Sequence, residues 1–490
     1  MPLLQFGEWR PDVADYGGQN THTIQNVIPR GDGYGPFPSA SVYTSALAAT
    51  CRGAFYALKS DGSVIVFAGT ETKLYQLNNT DYTWTDVSKS AGTYTALSSD
   101  AQWRFAQTGN LVFATQKNAP LQVFDLSSST AFADAAGSPP QAAYIDVVGR
   151  FLVLSGLLSA PYRIQWSGLN SFNGSQSWTA GVNSSDYQDF PDGGIVRGVA
   201  GGEFGYIFQD QAIRRMTFVP GSPLVFQIDR IAQDMGLFAP YSIIRAGELV
   251  FFYSSKGFYQ IAPGSLPQQI GREKVDRTFL AELDRGNLQL FMGAADPRSS
   301  RIYWAYKSSA GTAGLYDKLI GYDYMLARFF PISMSGEYLL GISQTGLTLE
   351  SLDSISSSID SMTLTLDAYA TAVQPENAQF GSDHKLSFFR GSSLEATMVT
   401  PEQGADAQRI YVNGFRPISD AGSLYGSLIY RDTQFSTTTT TSEAAVSTRT
   451  GRCDMRRDTR YARVKVRIPS ATTWTFCAGV EPDVTATGLQ

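Results

Sequence analysis

Two histidines are the only imidazole groups in this chain of 490 residues. His22 lies near the N-terminus, whereas His384 lies in the last quarter of the chain. A Ser-His-Asp set or a zinc site needs imidazole groups that converge on hydroxyls, thiols or carboxylates. The sequence does not favour such a convergence. Both histidines are therefore expected to be structural, and the chain is not expected to be an enzyme.

Carboxylates are more numerous, and a suitable pair could hydrolyse a glycosidic bond. The segment 186–194, DYQDFPDGG, is the one acidic loop that also contains aromatic residues and glycines. It lacks the alternating ligand spacing of a calcium loop. A solvated loop is therefore preferred over a sugar or calcium site. The acids among which no pair is singled out are Asp146, Asp186, Asp189, Asp192, Asp229, Asp234 and Asp276.

Other reactive patterns are weak. The glycine-rich segments 17–20 and 201–205 lack the following lysine and helix of a phosphate-binding loop, so both are interpreted as turns. Three cysteines are an odd and small set, and buried free thiols are expected. Cys453 and Cys477 could still lie on neighbouring strands. We therefore predict no catalytic, cofactor-binding or metal-binding residue, and no cofactor.

A basic cluster occupies residues 449–467, RTGRCDMRRDTRYARVKVR. On a strand, the side chains at 463, 465 and 467 lie on one face and the two valines between them on the other. Such a patch could hold a nucleic-acid backbone, meet an acidic protein surface or simply be solvated. Because stacking aromatics do not alternate with the basic residues, a protein interface is preferred. The candidate interface residues here are Arg456, Arg457, Arg460, Arg463, Lys465 and Arg467.

These residues belong to a strand-rich chain in which a β unit recurs about six times between Ala54 and Ser333. The clearest copy has the strand FYAL, a turn at Ser60-Asp61-Gly62, and the strands VIVFAG, KLYQL and YTWTDV. A repeat of roughly 40–53 residues made of strands indicates propeller blades. First strands are predicted near Ala54, Gln102, Ala142, Ile195, Tyr241 and Leu288.

This repeat predicts an all-β fold with a β-propeller of about six blades over residues 49–350. A further pair of segments, 337–343 and 346–352, could close the ring with strands from the start of the domain. A tandem of β-sandwiches that mimics the period by chance is the alternative.

The flanks of the repeat differ from it. Residues 1–48 contain too many prolines and glycines for a helix and predict an extended N-terminal arm that docks on its own domain or on a neighbour. The Ser/Asp-rich stretch 351–362 predicts a linker. Alternating strands over 363–490 predict a C-terminal β-sandwich-like domain. The large apolar residues proposed as interface anchors of the arm are Phe6, Trp9, Ile28, Tyr34 and Phe37.

Composition restricts the function further. Charged residues are only 17% of the chain and aromatic residues 12%, a composition found in surfaces that are covered by partners and also in compact β proteins. The net charge of −6 provides no global basic field for nucleic acid. The N-terminal sequence has no signal-peptide pattern, and no apolar run is long enough to span a bilayer. No stable membrane insertion is therefore expected.

The opening segment resembles the start of the tail hub or nozzle proteins of short-tailed bacteriophages and related prophages, also called stabilisation proteins. The resemblance rests on FGEW at 6–9 and on a string at 26–39. Together the two segments cover under a tenth of the chain. The propeller-like repeat and the terminal β module are similar to the architecture of that family. The matching residues of the string are Asn26, Val27, Ile28, Pro29, Gly33, Tyr34, Pro36, Phe37, Pro38 and Ser39.

This resemblance implies a virion structural protein that forms a homo-oligomeric ring, commonly a hexamer, at the distal end of the tail. Such a ring closes the tail channel and passes genomic DNA during ejection. The implied partners are tail adaptor or portal-associated proteins and tail fibre or needle proteins. The implied location is the virion tail, after assembly in the bacterial host cytoplasm. The acidic balance agrees with a lumen to which DNA does not adhere, since binding needs neutralising cations.

The alternative function is a β-propeller that binds glycans or hydrolyses them. It requires acidic or aromatic side chains that converge on the central face of the propeller. Asp189 and Asp192 are the residues whose mutation would test it.

Overall fold

The structure is a computed structural model that describes residues 3–14, 16, 18, 20–89, 92–343, 375–404 and 408–489. Seven of its sheets have four antiparallel strands each. Inner strands of neighbouring sheets pack side by side, and the inner strand of the seventh sheet contacts that of the first. The seven sheets are therefore the blades of a closed β-propeller, and the predicted all-β propeller fold is confirmed.

Blades 1 to 3 are formed by consecutive segments, each from the inner to the outer strand. Blade 1 consists of Ala54–Leu58, Val64–Gly69, Leu74–Leu77 and Trp84–Asp86. Blade 2 consists of Arg104–Thr108, Leu111–Thr115, Gln122–Asp125 and Ala133–Asp134. Blade 3 consists of Ala142–Val148, Phe151–Leu157, Arg163–Trp166 and Asp186–Asp189.

Blades 4 to 6 follow the same order. Blade 4 consists of Val196–Ala200, Gly205–Gln209, Ala212–Phe218 and Phe226–Gln233. Blade 5 consists of Ile244–Ala246, Leu249–Ser254, Gly257–Ile261 and Gln268–Gln269. Blade 6 consists of Met292–Ala295, Arg301–Tyr306, Tyr316–Asp323 and Arg328–Gly336.

Blade 7 is assembled from three distant parts of the chain. Its strands, again from the inside outwards, are Tyr338–Ser343, Pro375–Phe380, Lys385–Phe388 and Ser41–Ala46. The outer strand comes from the N-terminal part of the chain and pairs with Lys385–Phe388, so strands from both ends of the propeller sequence close the ring within one sheet. The prediction of about six blades is therefore corrected to seven.

The inner strand of the seventh blade lies in the segment 337–343 that was expected to close the ring, but the second strand escaped the repeat analysis because it is polar. In blades 1 to 6 the second strand is packed on both faces, so it reads as an apolar run such as VIVFAG or LVFFYS. In blade 7 that strand is PENAQF, and its Asn377 and Gln379 are buried. The hydroxyl of Tyr316 donates to Oε1 of Gln379 at 2.7 Å, so a polar pair replaces apolar packing there.

The division of the chain differs from the predicted one in two places. Residues 41–46 and 375–388 pair within blade 7, outside the predicted span 49–350. The predicted linker 351–362, the start of the C-terminal domain at 363 and the segment 346–352 lie outside the described residues.

The blades are connected by short segments with little helix. The upper face is defined here as the one at which the inner strands begin, and the lower face as the opposite one. In the described part of the chain the helices are one α-helix, Asp276–Glu282, and the 3-10 turns Pro191–Gly193, Pro240–Ser242 and Leu288–Leu290.

The C-terminal module has two sheets that face each other across an apolar core. Sheet I contains Cys453–Thr459, Gln408–Ser419, Cys477–Leu489, Gly33–Pro36 and Val27–Arg30 in this order, with Leu4–Gln5 beside Cys477–Leu489. Sheet II contains Thr439–Thr440, Tyr425–Arg431, Tyr461–Ile468, Ala396–Val399 and Ile24–Gln25, with Gln403–Gly404 and Ala444–Ala445 at its sides. A small parallel pair joins Glu8–Trp9 to Asn20–Thr21.

The N-terminal arm is thus part of the fold. It provides strands to both sheets of the module and then the outer strand of blade 7. Its residue Asp12 also accepts hydrogen bonds from the backbone N–H groups of Arg277 and Thr278, at 2.8 and 2.9 Å, and so caps the α-helix from a distant part of the chain. The arm docks on its own chain, one of the two destinations that the sequence had left open.

Candidate functional site

A cavity of about 190 Å³ lies on the axis of the propeller, at the centre of the ring. Aromatic and charged side chains of the inner strands line it. Phe55 and Phe105, from blades 1 and 2, stack there with ring centroids 5.8 Å apart. The other lining residues that matter for its chemistry are Arg104, Tyr144, Asp146, Arg245 and Tyr338.

The charged groups of this cavity are held by the scaffold. Oδ2 of Asp146 accepts a hydrogen bond of 2.7 Å from the N–H of Gly201, which links blade 3 to the first hairpin of blade 4. Burial raises the pKa of Asp146. The guanidinium carbon of Arg104 lies 5.3 Å from the ring centroid of Tyr241, within cation–π range. Asp146 therefore acts as an acceptor for backbone groups, and no second carboxylate lines this cavity.

A larger cleft of about 410 Å³ opens on the upper face, between blades 4, 5 and 6. Its lining mixes both charge signs with apolar groups. Arg197 Nε donates to Oδ1 of Asp210 at 2.6 Å across blade 4. The other polar residues of the wall are Asp100, Tyr241, Ser255, Arg285 and Gln289. The cleft is suited to a mixed polar and apolar ligand.

A third cavity of about 260 Å³ lies on the upper face where the ring closes. The buried carboxylate of Glu337 accepts the N–H of Cys51 at 2.9 Å and contacts Nδ1 of His384 at 2.5 Å. His384 in turn accepts the N–H of Leu47 at 2.9 Å through its carbonyl oxygen. Burial raises the pKa values of both Glu337 and the Cys51 thiol. Glu337, His384 and Cys51 therefore hold together the segments at which the ring closes. They do not form a thiolate site, because the raised pKa keeps the thiol protonated.

The acidic loop 186–194 lies at the rim of blades 3 and 4. Asp189 forms a two-point ion pair with Arg163, at 2.6 and 2.9 Å. Asp192 is bound by Arg214 and by Arg230, the latter at 3.0 Å. Neither carboxylate lines any of the three cavities described above. The structure places both in ion pairs that join strands within blades 3 and 4.

The predicted one-sided strand in the basic cluster is present as Tyr461–Ile468, with Val464 and Val466 buried. The positive charges on its basic face are neutralised by glutamate side chains of the same module. The pairs are Arg463 with Glu402 at 3.4 Å, Lys465 with Glu443 at 3.7 Å, and Arg467 with Glu395 at 3.0 Å and Glu443 at 2.9 Å. These three residues are therefore less available to a partner than the sequence indicated.

The other candidates of the cluster lie on Cys453–Thr459, the terminal strand of sheet I, or just after it. Arg456 and Arg457 are exposed, and Arg457 stacks over Tyr430 at 4.5 Å. Arg460 is half-buried. In the described part of the chain, no ion pair involves Arg456 or Arg457, so their charges remain open to an external acidic group.

Most of the arm candidates are interior residues. Phe6, Tyr34 and Phe37 are buried, and the hydroxyl of Tyr34 donates to the carbonyl of Gly7 at 2.6 Å. Trp9 and Ile28 are half-buried and pack on the same core. Their assignment to an interface is corrected accordingly, because their apolar surface is used within the chain.

The three cysteines lie where the sequence predicted, in the interior of the protein. Cys51, Cys453 and Cys477 are free and buried, which confirms the prediction. Among the described residues, no group of three or more His, Cys, Asp or Glu side chains is placed to hold a metal ion. Likewise, no helix within these ranges is long and apolar enough to cross a membrane.

Sequence reasoning missed the upper-face cleft. Arg197 lies on the inner strand of blade 4, Asp210 in the hairpin between the second and third strands of that blade, and Arg285 in the connection to blade 6, and no sequence spacing relates them. The available signal was that Arg197 and Arg285 lie beside predicted inner strands, since the segments that lead into inner strands meet at one face of a propeller.

No protein-family profile matches the sequence, and no curated protein matches it. Among solved structures, the extracellular domain of a hybrid two-component system of B. thetaiotaomicron is 11% identical (TM-score 0.42), over 77% of this chain and 44% of that one. The WD40 repeats of RRP9 are 9% identical (TM-score 0.37), over 62% of this chain and 88% of that one. YCF48 bound to D1 peptide is 12% identical (TM-score 0.35), over 63% of this chain and 87% of that one. The chain spans less than half of the first of these proteins, and the likeness concerns the fold alone.

Proposed function

We propose that the protein is a structural subunit of the tail hub or nozzle of a short-tailed bacteriophage. In this role, copies of the chain form a ring, commonly of six, that closes the tail channel and passes DNA during ejection. The proposal rests on the resemblance of the opening segment. It is supported by one structural observation, namely the position of the residues that carry the resemblance.

The string 26–39 lies where the propeller meets the C-terminal module. Asn26, with a positive φ of 57°, receives the N–H of Ser333 of blade 6 on Oδ1 at 2.7 Å. Its Nδ2 donates to the carbonyl of Glu395 of the module at 2.9 Å. Ser39, at the other end of the string, exchanges backbone hydrogen bonds with Gly391 and Ser392. A resemblance in this string is therefore a resemblance in how two modules are joined.

Gly33, within the same string, has a steric requirement. Its φ is +153°, and a Cβ there would lie 2.5 Å from the carbonyl oxygen of Cys477. Only glycine lets the two strands of sheet I approach this closely. The string thus has physical reasons for its residue types, which supports reading it as an architectural signature.

The ring interface is proposed to include the terminal strand of sheet I. A terminal strand has unpaired backbone groups that can meet another chain. Arg456 and Arg457 project from it, and an acidic surface of a neighbouring subunit or tail protein would complement their charge.

The experiment is light scattering coupled to size-exclusion chromatography, applied to the full chain and two variants. The wild type is expected at about six chain masses. The pair Arg456→Glu and Arg457→Glu is expected to shift the population to monomers. The control pair Lys117→Glu and Arg150→Glu changes the net charge equally at exposed sites of blades 2 and 3 and should leave the ring intact. A wild type that remains monomeric at all concentrations and in assembled particles would contradict the proposal.

A further inference from the structure

The outer hairpins of blades 4, 5 and 6 carry the most exposed aliphatic side chains of the propeller in the described residues. Leu224, Leu266 and Met325 are 73%, 65% and 76% exposed, and Leu326 is 40% exposed. Each lies in the connection between the third and the outer strand of its blade. These three connections are referred to below as the apolar tips.

The first two tips share a sequence and a turn. Blade 4 has PGSPL at 220–224 and blade 5 has PGSLP at 263–267. In both, the serine N–H donates to the residue before the proline, Ser222 to Val219 at 3.2 Å and Ser265 to Ala262 at 3.0 Å. The central glycines have φ of +78° and +72°, so both are type II turns. Proline and glycine stiffen the turn, so little conformational entropy is lost when the leucine beside it is bound.

The turns do not require these leucines. The equivalent hairpin of blade 2 has exposed Ser127, Ser128 and Thr130. In the hairpin of blade 1, residues 78–83, the exposed side chains are those of Asn, Thr and Asp, and the one tyrosine, Tyr82, is half-buried. The same position is thus polar in blades 1 and 2 and apolar in blades 4 to 6. Single exposed leucines are common on protein surfaces, so it is the recurrence of an apolar tip at one position of three consecutive blades, and not the exposure of any one leucine, that points to a ligand.

The tips lie on one side of the propeller. The four strands of each blade alternate in direction, so the last connection lies at the same end as the first, which is the lower face. The lower-face cavity between blades 4 and 5 agrees with this for blade 5, because Pro263 of its tip lines the cavity together with Gly201 and Glu248 of the first hairpins. The approximate rotational repetition of the blades then places the three tips at one level around the axis.

The size of the tips favours a bilayer over a folded partner. Burial of an aliphatic side chain removes roughly 60–120 Å² at about 25 cal/mol per Å², so four of them supply roughly 250–500 Å². A stable protein interface needs about 800 Å² on each partner. A protein would also need a separate pocket for each convex tip, whereas the acyl boundary of a membrane accepts separate aliphatic side chains one by one.

We propose that the apolar tips form a docking surface for a lipid bilayer, with Leu224, Leu266, Met325 and Leu326 dipping into the headgroup and acyl boundary. The contact is peripheral and reversible, in keeping with the expectation of no stable insertion. The turns of blades 4 and 5 contain no charged side chain, and Glu203 and Glu248 lie on the same face beside Pro263, so the surface is suited to zwitterionic lipid. The proposal does not rest on ring formation.

The test is flotation of the full chain with phosphatidylcholine vesicles. The wild type is expected to float with the vesicles. The vesicle-bound fraction of the double variant Leu224→Ser, Leu266→Ser is expected to be at least fivefold lower than that of the wild type. Leu158→Ser is the matched control, because Leu158 is a 51% exposed leucine on the upper face of blade 3. It should float like the wild type.

A second readout separates lipid from protein occupants. Leu266→Trp should show a blue shift of tryptophan emission, relative to the wild type, when vesicles are added. Absence of flotation of the wild type would overturn the proposal, as would equal loss in the double variant and the Leu158→Ser control. Self-association that is lost only in the double variant, without flotation, would assign the tips to a second copy of the chain and would likewise overturn it.

Discussion

At the residue scale, two carboxylates of this protein, one buried and one half-buried, hold segments of the chain together. Glu337 binds a backbone N–H of the segment that enters blade 1 and a histidine of blade 7. Asp276 accepts the N–H of Phe258 at 3.1 Å and the amide of Gln269 at 2.9 Å. Both carboxylates thus act as hydrogen-bond acceptors between segments that are separate in sequence.

Glu337→Ala is expected to lower the free energy of unfolding by about 2–3 kcal/mol, because a buried N–H and an imidazole lose their acceptor. Urea unfolding followed by tryptophan fluorescence measures this. Glu71→Ala, at an exposed position on the same face, is the control and should change stability by less than about 0.5 kcal/mol. Equal effects of the two substitutions would show that Glu337 does not fasten the ring.

Asp276 gives the protein a pH dependence with a defined sign. Burial raises the pKa of Asp276 to about 6, so the folded state favours the protonated carboxyl. Its contribution is complete below the unfolded value near 4 and is lost as pH rises through about 6. Since the group is partly exposed, the loss between pH 4.5 and 7.5 is expected to be about 1–2 kcal/mol.

The difference between wild type and Asp276→Asn in urea unfolding isolates this group at the two pH values. Relative to the wild type, the free energy of unfolding of the variant should be higher at pH 7.5 than at pH 4.5 by about 1–2 kcal/mol. A difference that stays constant with pH would refute the assignment.

At the element scale, each blade is defined by its second strand and fixed to its neighbour by close contacts. Blades 3 and 4 meet where a Cβ on Gly201 would lie 2.0 Å from the carbonyl oxygen of Val147. This distance leaves no room for a side chain, so the junction depends on a single glycine.

Gly201→Ala is therefore expected to destabilise the protein by about 2–4 kcal/mol through a forced shift of the backbone. Gly422→Ala is the control, since Gly422 has ordinary backbone angles and open space around it. Differential scanning calorimetry would register a lower Tm for the first variant alone. Similar Tm values for both would mean that the two blades can separate without cost.

Elements with an apolar signature could be predicted from the sequence. Inner strands begin at Ala54, Arg104, Ala142, Val196, Ile244 and Met292, within four residues of the predicted positions. Blade 7 could be predicted only in part. Its inner strand lies in the segment 337–343 that was expected to close the ring, whereas its second strand is polar and its outer strand lies about 340 residues away in sequence from its partner. The positive charges of Arg463, Lys465 and Arg467 are neutralised by glutamates that are distant in sequence, and no local pattern reveals these ion pairs.

At the scale of the whole molecule, the N-terminal arm connects the propeller to the C-terminal module. A detachable arm would affect assembly but leave the isolated chain stable. The observed arm contributes strands to three sheets, with Tyr34 beside Cys477 in sheet I.

Tyr34→Ala is accordingly expected to cost about 3–5 kcal/mol and to make the Cys477 thiol reactive in the isolated chain. Titration with a thiol reagent under native conditions measures this, because all three cysteines are buried and should be unreactive in the wild type. Tyr162→Ala, at a 43% exposed tyrosine, is the control. Unchanged stability and reactivity in Tyr34→Ala would show that the arm is not part of the core.

The central functional claim is that copies of this chain assemble into a closed ring. Negative-stain electron microscopy of the purified full chain, with class averages scored for rotational symmetry, tests it most directly. The account predicts closed rings, commonly with six subunits, and the loss of these rings in the Arg456→Glu, Arg457→Glu variant. Single propeller-sized particles at every concentration, together with the absence of such a ring from assembled virions, would contradict it.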